Sequence, residues 1–555
     1  MQGFKAIATG FVAGVLIMGA VWLFSSQRSD DGITTSDIAV AEKLAGLSFT
    51  QAHRDTMLEG VQDAVEGYRA LRELEISNEV WPSVQFNPLV SGITLPETQY
   101  PREWDLPQDI VMPENRDDLA FYTVAELAYL IRTRALTSVE LTQIFLDRID
   151  RFDAQLNVIV TLTEELALEQ ALRADQEIAS GRYRGPLHGI PYLTKDLLAL
   201  SGYPTTWGAM PYRDQMIDET ATVIARLEQA GAVHLAKVSL GALAWGDVWF
   251  KARTNSPWNT EMGASGSSAG SSAGVAAGFA AFAIGSETYG SIVSPATRNG
   301  VSGLRPTYGR VSRHGAMALS WTMDKLGPIT RSAEDAGLVF EAIYGPDGLD
   351  PSLIDVPFNY RADVDFSRLR IGYLETAFDA EYPGREHDQA TLETLRELGA
   401  RLVPIAMPDF PVGPVIQMLN VEAAAAFDEF TRSGEDAQLV RQVRNAWPNV
   451  FRTARFVPAV EYLQASRART LLQQEMAQAI RDVDVYITPS FAGGNLPITN
   501  LTGHPTVVVP NGFNAEGMPT SITFSGHLFD EGSVLALARA YQQVTDFHKQ
   551  RPPGF

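Results

Sequence analysis

The pattern of apolar residues along the chain predicts alternating helices and strands. Between Ser36 and Glu75, apolar residues recur at helical spacing, which predicts two helices. Capping-box sequences of the form T-x-x-E at Thr123 and Thr137 predict two further helix starts. The other predicted helices are 166–180, 220–230, 273–283, 389–398, 459–480 and 532–544. Short apolar runs predict strands at 190–193, 233–238, 369–373, 401–405, 483–488, 506–509 and 521–524.

This alternation predicts an α/β fold, in which one large body has a central mixed sheet flanked by helices. We place this body at residues 118–555. An extension at 31–117 precedes it, beginning with the two helices and becoming rich in proline and asparagine from Trp81 to Asp117. The 555 residues, 45% of them hydrophobic, are sufficient for a large core.

Residues 1–30 carry a separate signal. Lys5 precedes nineteen uncharged residues from Ala6 to Phe24, a length typical of a helix that crosses a bilayer. An uncleaved membrane anchor, a cleaved signal segment and a buried helix are all compatible with this run. Because a positive charge precedes it and acidic residues follow, we expect the body to be exported and attached to the membrane through this segment. It would be periplasmic in a Gram-negative cell, or secreted if the segment is cleaved.

Charge and composition exclude several functions. The formal net charge of −22 repels nucleic acid, so we expect no nucleic-acid partner. Without cysteine, the chain has no thiolate nucleophile and no thiolate metal ligand. The eight histidines show no pair at metal-ligand spacing, and no dinucleotide or phosphate-loop motif is present. We therefore predict no metal site and no cofactor, while the oligomeric state is not readable from the sequence.

The most distinctive segment is GASGSSAGSSAGVAAG from Gly263 to Gly278, followed by GSETYGSIVSPA from Gly285 to Ala296. It can be interpreted as a flexible linker, as a nucleophile elbow centred on Ser268, or as a turn that presents backbone N–H groups to an anionic centre. The tract runs directly into an apolar helical segment, which disfavours a linker. The preceding residues are turn-like, whereas an elbow requires a strand before the nucleophile.

Together with HGIPYLTKD, RTNSPWN, GLRPTYGRVSRHG and DKLGPITRS, these segments resemble the amidase signature family from about Tyr122 to Tyr541. The resemblance implies hydrolysis of a small-molecule carboxamide. It implies Lys195 as the base, Ser267 as a relay that follows a cis peptide bond, and Ser291 as the nucleophile. Ser268 is expected to support this site through hydrogen bonds.

The resemblance also implies a turn that binds the oxyanion through the backbone N–H groups of Thr288, Tyr289, Gly290 and Ser291. Two residues depart from the family pattern. Tyr289 stands where a glycine is usual, which places a phenol ring beside the turn. Val293 stands where an arginine commonly follows, which removes a charge near the site.

This chemistry requires Lys195 to be neutral, because only an uncharged amine can accept the proton of a serine hydroxyl. Burial would lower its pKa toward the required range. Ser286 is interpreted as a structural hydrogen-bonding residue, and His314 and Asp324 as scaffold. Three alternatives stay open: the glutaminase-type subunit of an amidotransferase, a Ser-His-Asp esterase centred on Ser268, and a binding protein that keeps the scaffold without activity.

Overall fold

The computed structural model describes residues 32–74 and 76–555. The chain divides into two compact units. The smaller contains the described residues up to Ser77 together with Phe456–Pro458, and the larger contains Asn78–Arg455 and Ala459–Phe555. The predicted boundaries at residues 30 and 117 stay predictions.

The described part of the smaller unit contains helices α1 (Thr35–Ala45) and α2 (Gln51–Arg72), which confirms the two helices predicted there. Helix α1 begins at a capping box, in which the Thr34 side chain accepts from the Asp37 backbone and the Asp37 side chain accepts from the Thr34 backbone. An ion pair joins the two helices, with Arg54 Nε 2.8 Å from Glu42 Oε1. Helix α2 buries none of its side chains within the described structure.

A membrane anchor finds no support in the structure. Among residues 32–74 and 76–555, every helix is too short or too polar to cross a bilayer. The segment from Ala6 to Phe24, on which the anchor was predicted, lies outside the described residues. The finding contradicts the predictions of a membrane anchor, of a membrane partner and of export with the body outside the cytoplasm.

The larger unit alternates helices with strands. Its helices are α3 (Val124–Arg132), α4 (Ser138–Leu156), α5 (Glu164–Ala179), α6 (Thr222–Gln229), α7 (Ala269–Ala276), α8 (Val293–Asn299), α9 (Ala333–Ile343), α10 (Glu375–Asp379), α11 (Arg385–Glu397), α12 (Val412–Ala426), α13 (Asp428–Arg432), α14 (Trp447–Ala454), α15 (Ala459–Ala479), α16 (Asn495–Thr502) and α17 (Glu531–Gln543). Its strands are β1 (Ile159–Leu162), β2 (Pro191–Lys195), β3 (Val233–Val238), β4 (Asn255–Ser256), β5 (Asn259–Gly263), β6 (Phe282–Glu287), β7 (Ser302–Arg305), β8 (Lys325–Thr330), β9 (Arg370–Leu374), β10 (Arg401–Ile405), β11 (Val485–Pro489), β12 (Thr506–Phe513) and β13 (Pro519–Gly526).

Eleven of these strands form one sheet in the order β1-β3-β2-β6-β8-β7-β12-β13-β11-β9-β10, and β4 and β5 form a separate hairpin. Strand β2 pairs in parallel with both β3 and β6, while β6 pairs antiparallel with β8. Helices α7 and α9 pack against the sheet. The predicted α/β fold with a mixed sheet flanked by helices is confirmed.

The parallel pairing of β2 with β6 positions two chain segments next to each other. Tyr192 lies opposite Phe282 and Thr194 opposite Ile284, and both strands are fully buried. Because parallel strands end at the same edge of a sheet, Lys195 at the end of β2 lies close to the end of β6. The helix α7 is composed of small residues, all buried, and packs closely against both strands.

The predicted helix at 273–283 is wrong in its second half. Helix α7 ends at Ala276, and Gly278 adopts a left-handed φ of +70°. The chain then enters strand β6 at Phe282. A run of small apolar residues is compatible with both a buried helix and a buried strand. The sequence pattern therefore did not show where α7 ends and β6 begins.

Candidate active site

Lys195 is the centre of a buried cluster of serine hydroxyls. Its side chain is fully buried at the end of β2. Nζ donates to Ser267 Oγ at 2.7 Å, to Ser286 Oγ at 2.8 Å and to Ser268 Oγ at 3.1 Å. The amine therefore contacts neutral oxygen atoms rather than a carboxylate.

Burial lowers the pKa of Lys195 to about 7, because the charged form loses the hydration it has in water. The negative charges of Asp324 and Glu287 oppose this shift without reversing it. Near neutral pH, a substantial fraction of the amine is therefore uncharged. An uncharged amine with a serine hydroxyl at 2.7 Å is placed to accept a proton from that hydroxyl.

The position directly before Ser267 accepts only glycine. The Gly266–Ser267 peptide bond is cis, as the resemblance implied. A Cβ atom at Gly266 would lie 1.8 Å from the carbonyl oxygen of Gly246, so any side chain there would collide with the backbone. The Ser267 hydroxyl is buried and accepts the hydrogen bond from Lys195 Nζ.

The Ser268 hydroxyl is engaged by the backbone of Ser286. It donates to the Ser286 carbonyl oxygen at 3.0 Å and accepts from the Ser286 N–H at 3.1 Å. A Cβ atom at Gly285 would lie 2.9 Å from this hydroxyl, so the close approach of the two segments depends on that glycine. Within the described residues, the hydroxyl contacts no histidine, which argues against a Ser-His-Asp esterase centred on Ser268.

Ser291 lies at the rim of the buried cluster. It follows β6 in a turn, directly before α8, and is partly exposed. Its carbonyl oxygen accepts from the Ser268 N–H at 3.2 Å, which fixes the turn beside Ser267 and Ser268. The structure thus brings the predicted base, relay and nucleophile to one edge of the sheet, with the nucleophile on the accessible side.

The turn before Ser291 presents unpaired backbone donors. Gly290 has a φ of +98°, a conformation that side chains disfavour. In the part of the chain that the structure describes, the N–H groups of Tyr289, Gly290 and Ser291 donate to no carbonyl. The Tyr289 ring is 41% exposed beside them. Unpaired backbone N–H groups next to the Ser291 hydroxyl are the type of donor that can stabilise an oxyanion.

Glu287 holds the other side of this turn. Its Oε2 accepts from the N–H groups of Ile292 (2.8 Å) and Val293 (3.0 Å), the first groups of α8. Its Oε1 accepts from Arg305 Nη1 at 2.7 Å and from Asn500 Nδ2 at 2.8 Å. Burial raises the pKa of Glu287, but Arg305 and these hydrogen bonds stabilise the carboxylate more strongly. The net result is a pKa of about 2. The carboxylate fixes both ends of the turn that carries Ser291.

Asp324, which the sequence analysis interprets as scaffold, contacts the start of this turn. Its Oδ1 accepts from Thr288 Oγ1 at 2.6 Å, at the start of the turn. Its Oδ2 accepts from the N–H groups of Leu319 and Ser320 at 2.8 and 2.9 Å. Burial raises the pKa of Asp324, and these hydrogen bonds oppose the shift. The predicted donor Thr288 is therefore anchored through its side chain.

Two residues of this site were not recognised in the sequence. Ser286 was interpreted as structural, whereas its hydroxyl lies 2.8 Å from the Lys195 amine. Glu287 was not singled out at all, although a carboxylate at the end of an apolar strand is a signal that a buried cation must lie nearby. In residues 32–74 and 76–555, no group of three or more acidic, histidine or cysteine side chains could hold a metal ion.

Comparisons with known proteins agree with this geometry. The family model described as Amidase matches residues 140–498. Over 478 residues the chain is 33% identical to one subunit of the Glutamyl-tRNA(Gln) amidotransferase of Marinomonas sp., and the match covers 78% of this chain and 98% of that protein. It is 34% identical over 471 residues to the putative amidase AmiD of Mycobacterium tuberculosis, with 79% and 97% covered.

A solved structure is similar as well. The native peptide amidase from Stenotrophomonas maltophilia superimposes with a TM-score of 0.67 at 29% identity. The match covers 78% of this chain and 98% of that one. The chain therefore belongs to the amidase signature family and is a hydrolase of amide carbon–nitrogen bonds.

Proposed function

We propose that this protein hydrolyses a carboxamide through an acyl-enzyme on Ser291, with Ser267 as proton relay and Lys195 as base. In the first step, Ser291 Oγ attacks the amide carbonyl carbon. Its proton passes to Ser267 Oγ as the Ser267 proton passes to neutral Lys195 Nζ. The carbonyl oxygen becomes an oxyanion, which the N–H groups between Thr288 and Ser291 stabilise.

The tetrahedral intermediate then collapses. The carbon–nitrogen bond breaks as the Lys195 ammonium returns a proton through Ser267 to the leaving nitrogen, which departs as ammonia or an amine. Water attacks the Ser291 ester, and its proton follows the same route to Lys195. The bond between the carbonyl carbon and Ser291 Oγ then breaks as the Lys195 ammonium returns this proton through Ser267 to Ser291 Oγ. The acid product leaves and loses its own proton to water as a carboxylate, which regenerates the Ser291 hydroxyl and neutral Lys195. Each step uses side chains, backbone donors and water.

The observation that carries this proposal is the environment of Lys195. The amine is fully buried, has a pKa of about 7 and lies 2.7 Å from the Ser267 hydroxyl. The partly exposed Ser291 is fixed beside it through Ser268. We also propose that residues 118–555 form the catalytic domain and that 31–117 form an extension.

A serine-directed sulfonyl fluoride followed by peptide mass mapping tests the assignment. We expect covalent modification at Ser291 and loss of amide hydrolysis in step with it. Ser291→Ala should remove the label and reduce the rate by at least about a thousandfold. Ser272→Ala serves as the matched control, because the Ser272 hydroxyl is buried without a hydrogen-bond partner in the described structure, and it should keep the label on Ser291. Modification of any other serine in step with inactivation would overturn the assignment.

A glutaminase subunit of an amidotransferase is a second candidate, since one relative with 33% identity carries that name. The net charge of −22 opposes contact with tRNA. A measurement of ammonia release separates the amidase from the glutaminase-type subunit. It compares release from glutamine by the isolated chain with release from other primary amides. A preference for glutamine over all other amides tested would favour the second candidate.

A further inference from the structure

A cavity adjoins the proposed active site and contains residues that the mechanism does not use. Ser286, which contacts Lys195, and Thr288, which begins the oxyanion turn, both lie in its wall. The remaining wall is largely apolar and includes Leu197, Met317 and Trp321. All lining residues belong to the larger unit. A side group of the substrate attached near the reacting carbonyl would have this cavity beside it.

The outer wall of the cavity comes from a short segment near the amino end of the larger unit. Asn78, Glu79 and Trp81 line it, and they lie outside the residues 140–498 that the amidase family model matches. The segment is firmly attached. Asn78 Nδ2 donates to the Ala318 carbonyl oxygen at 2.9 Å, and the Ala318 N–H donates to Asn78 Oδ1 at 2.7 Å.

Trp81 closes the cavity by stacking on Arg313. The guanidinium carbon lies 4.3 Å from the centre of the indole ring. Arg313 donates hydrogen bonds from all of its nitrogens, and its acceptors are the side chains of Asp350, Tyr308 and Ser352 and the carbonyl oxygens of Trp321 and Asp324. With its donors occupied in this way, the guanidinium has no N–H group left for a substrate carboxylate.

The charges around the cavity are unbalanced. Arg313 is paired with Asp350, and His314 lies 3.1 Å from Glu219. Asp324 adds a carboxylate at the inner end. Glu79 is exposed at the outer end, and no ion pair engages it within the described residues. The cavity therefore combines apolar walls with a free negative charge at its outer end.

We propose that this cavity binds the acyl side group of the substrate and selects a long apolar group that ends in a positive charge. The inference rests on the proposed amidase function. The apolar stem would lie against Leu197, Met317 and the indole rings, and the cationic end would lie near Glu79. Glu79 and Trp81 are then specificity-determining residues contributed from outside the family-matched region.

The test compares three primary amides of similar length: those of N-acetylated lysine, norleucine and glutamate. For the wild-type protein we expect kcat/KM to decrease in that order, with the difference mainly in KM. Glu79→Gln should reduce the ratio of kcat/KM for the lysine amide to that for the glutamate amide by about two- to fivefold. High salt should reduce this ratio in the wild type, since it screens the charge.

Glu97→Gln is the matched control, because Glu97 is also exposed and does not line the cavity. It should leave the ratio unchanged. Trp81→Ala should reduce kcat/KM for the lysine and norleucine amides by about tenfold relative to kcat/KM for N-acetylglycinamide. Trp81→Phe should retain most of the wild-type kcat/KM for these two amides.

The results separate this inference from the proposed function. Hydrolysis that depends on Ser291 but shows no preference for the cationic amide, or equal ratios in the Glu79→Gln and Glu97→Gln variants, overturns the inference alone. Absence of hydrolysis of any amide by the wild-type protein overturns both.

Discussion

Two buried lysines on neighbouring strands differ in the atoms that surround them. Lys195 ends β2, and Lys237 lies on β3 opposite Thr194. Lys195 Nζ contacts the hydroxyls of Ser267, Ser286 and Ser268. Lys237 Nζ lies 2.8 Å from Asp196 Oδ1 and also donates to Thr205 Oγ1 at 2.6 Å.

Burial lowers the pKa of both amines, since each loses its hydration. At Lys237, the Asp196 carboxylate opposes this effect at contact distance and favours an ion pair. At Lys195, the carboxylates that oppose burial are Asp324 and Glu287, and neither touches the amine. Burial alone therefore does not make a lysine suitable as a base. The proposed base is the buried lysine whose hydrogen-bonding partners are neutral.

The same substitution at both lysines should separate catalysis from stability. Lys195→Met removes the proposed base, so we expect kcat/KM for amide hydrolysis to fall by about 10²- to 10⁴-fold. Its thermal unfolding midpoint should change little, because no buried carboxylate loses its partner. Amide hydrolysis assays and thermal unfolding of the purified variant measure the two effects. Near wild-type activity in Lys195→Met would contradict the proposal that Lys195 is the base.

Lys237→Met should act mainly on stability. It leaves the Asp196 carboxylate buried without its cation, which costs about 3–5 kcal/mol of the free energy of unfolding. Urea unfolding measures this loss. The double variant Asp196→Asn/Lys237→Met should recover part of it, because neither remaining side chain is charged. Equal stability of Lys237→Met and the wild type would show that the pair is not an ion pair in the folded protein.

Ser286→Ala should have a smaller effect than Lys195→Met or Lys237→Met. It removes one of the three hydroxyls around Lys195 and leaves Ser267 in place, so we expect kcat/KM to fall by about tenfold. Ser272→Ala is the matched control, because the Ser272 hydroxyl is buried without a hydrogen-bond partner in the described structure. If both variants lose activity equally, Ser286 has no specific role at the amine.

The sequence predicted strands best where apolar residues predominate. Strands β3 and β10 have the predicted bounds, because most of the residues in each are apolar. Strands β7 (SGLR) and β8 (KLGPIT) were not predicted, since each has a charged residue at one end and no run of three apolar side chains. Arg305 is compatible with a buried strand only because Glu287, on another strand, neutralises it. Such long-range pairing leaves no local signal.

The same limit applies to the site. Lys195, Ser267 and Ser291 could be proposed from the sequence because their motifs are local and resemble a known family. The roles of Ser286 and Glu287 depend on contacts with β2, β7 and α16, which only the folded chain brings together. The position of Trp81 in the cavity wall could not be predicted from the sequence either, since Arg313, on which it stacks, is more than two hundred residues away in the chain.

The pH dependence of kcat/KM for amide hydrolysis tests the central claim most directly. Because burial lowers the pKa of Lys195 to about 7, the base is protonated below that pH and neutral above it. We predict a rate that rises about tenfold per pH unit in acid and levels off above an apparent pKa near 7. A profile that is flat from acid to alkaline pH, or that rises only near the pKa of a free lysine, would contradict the claim.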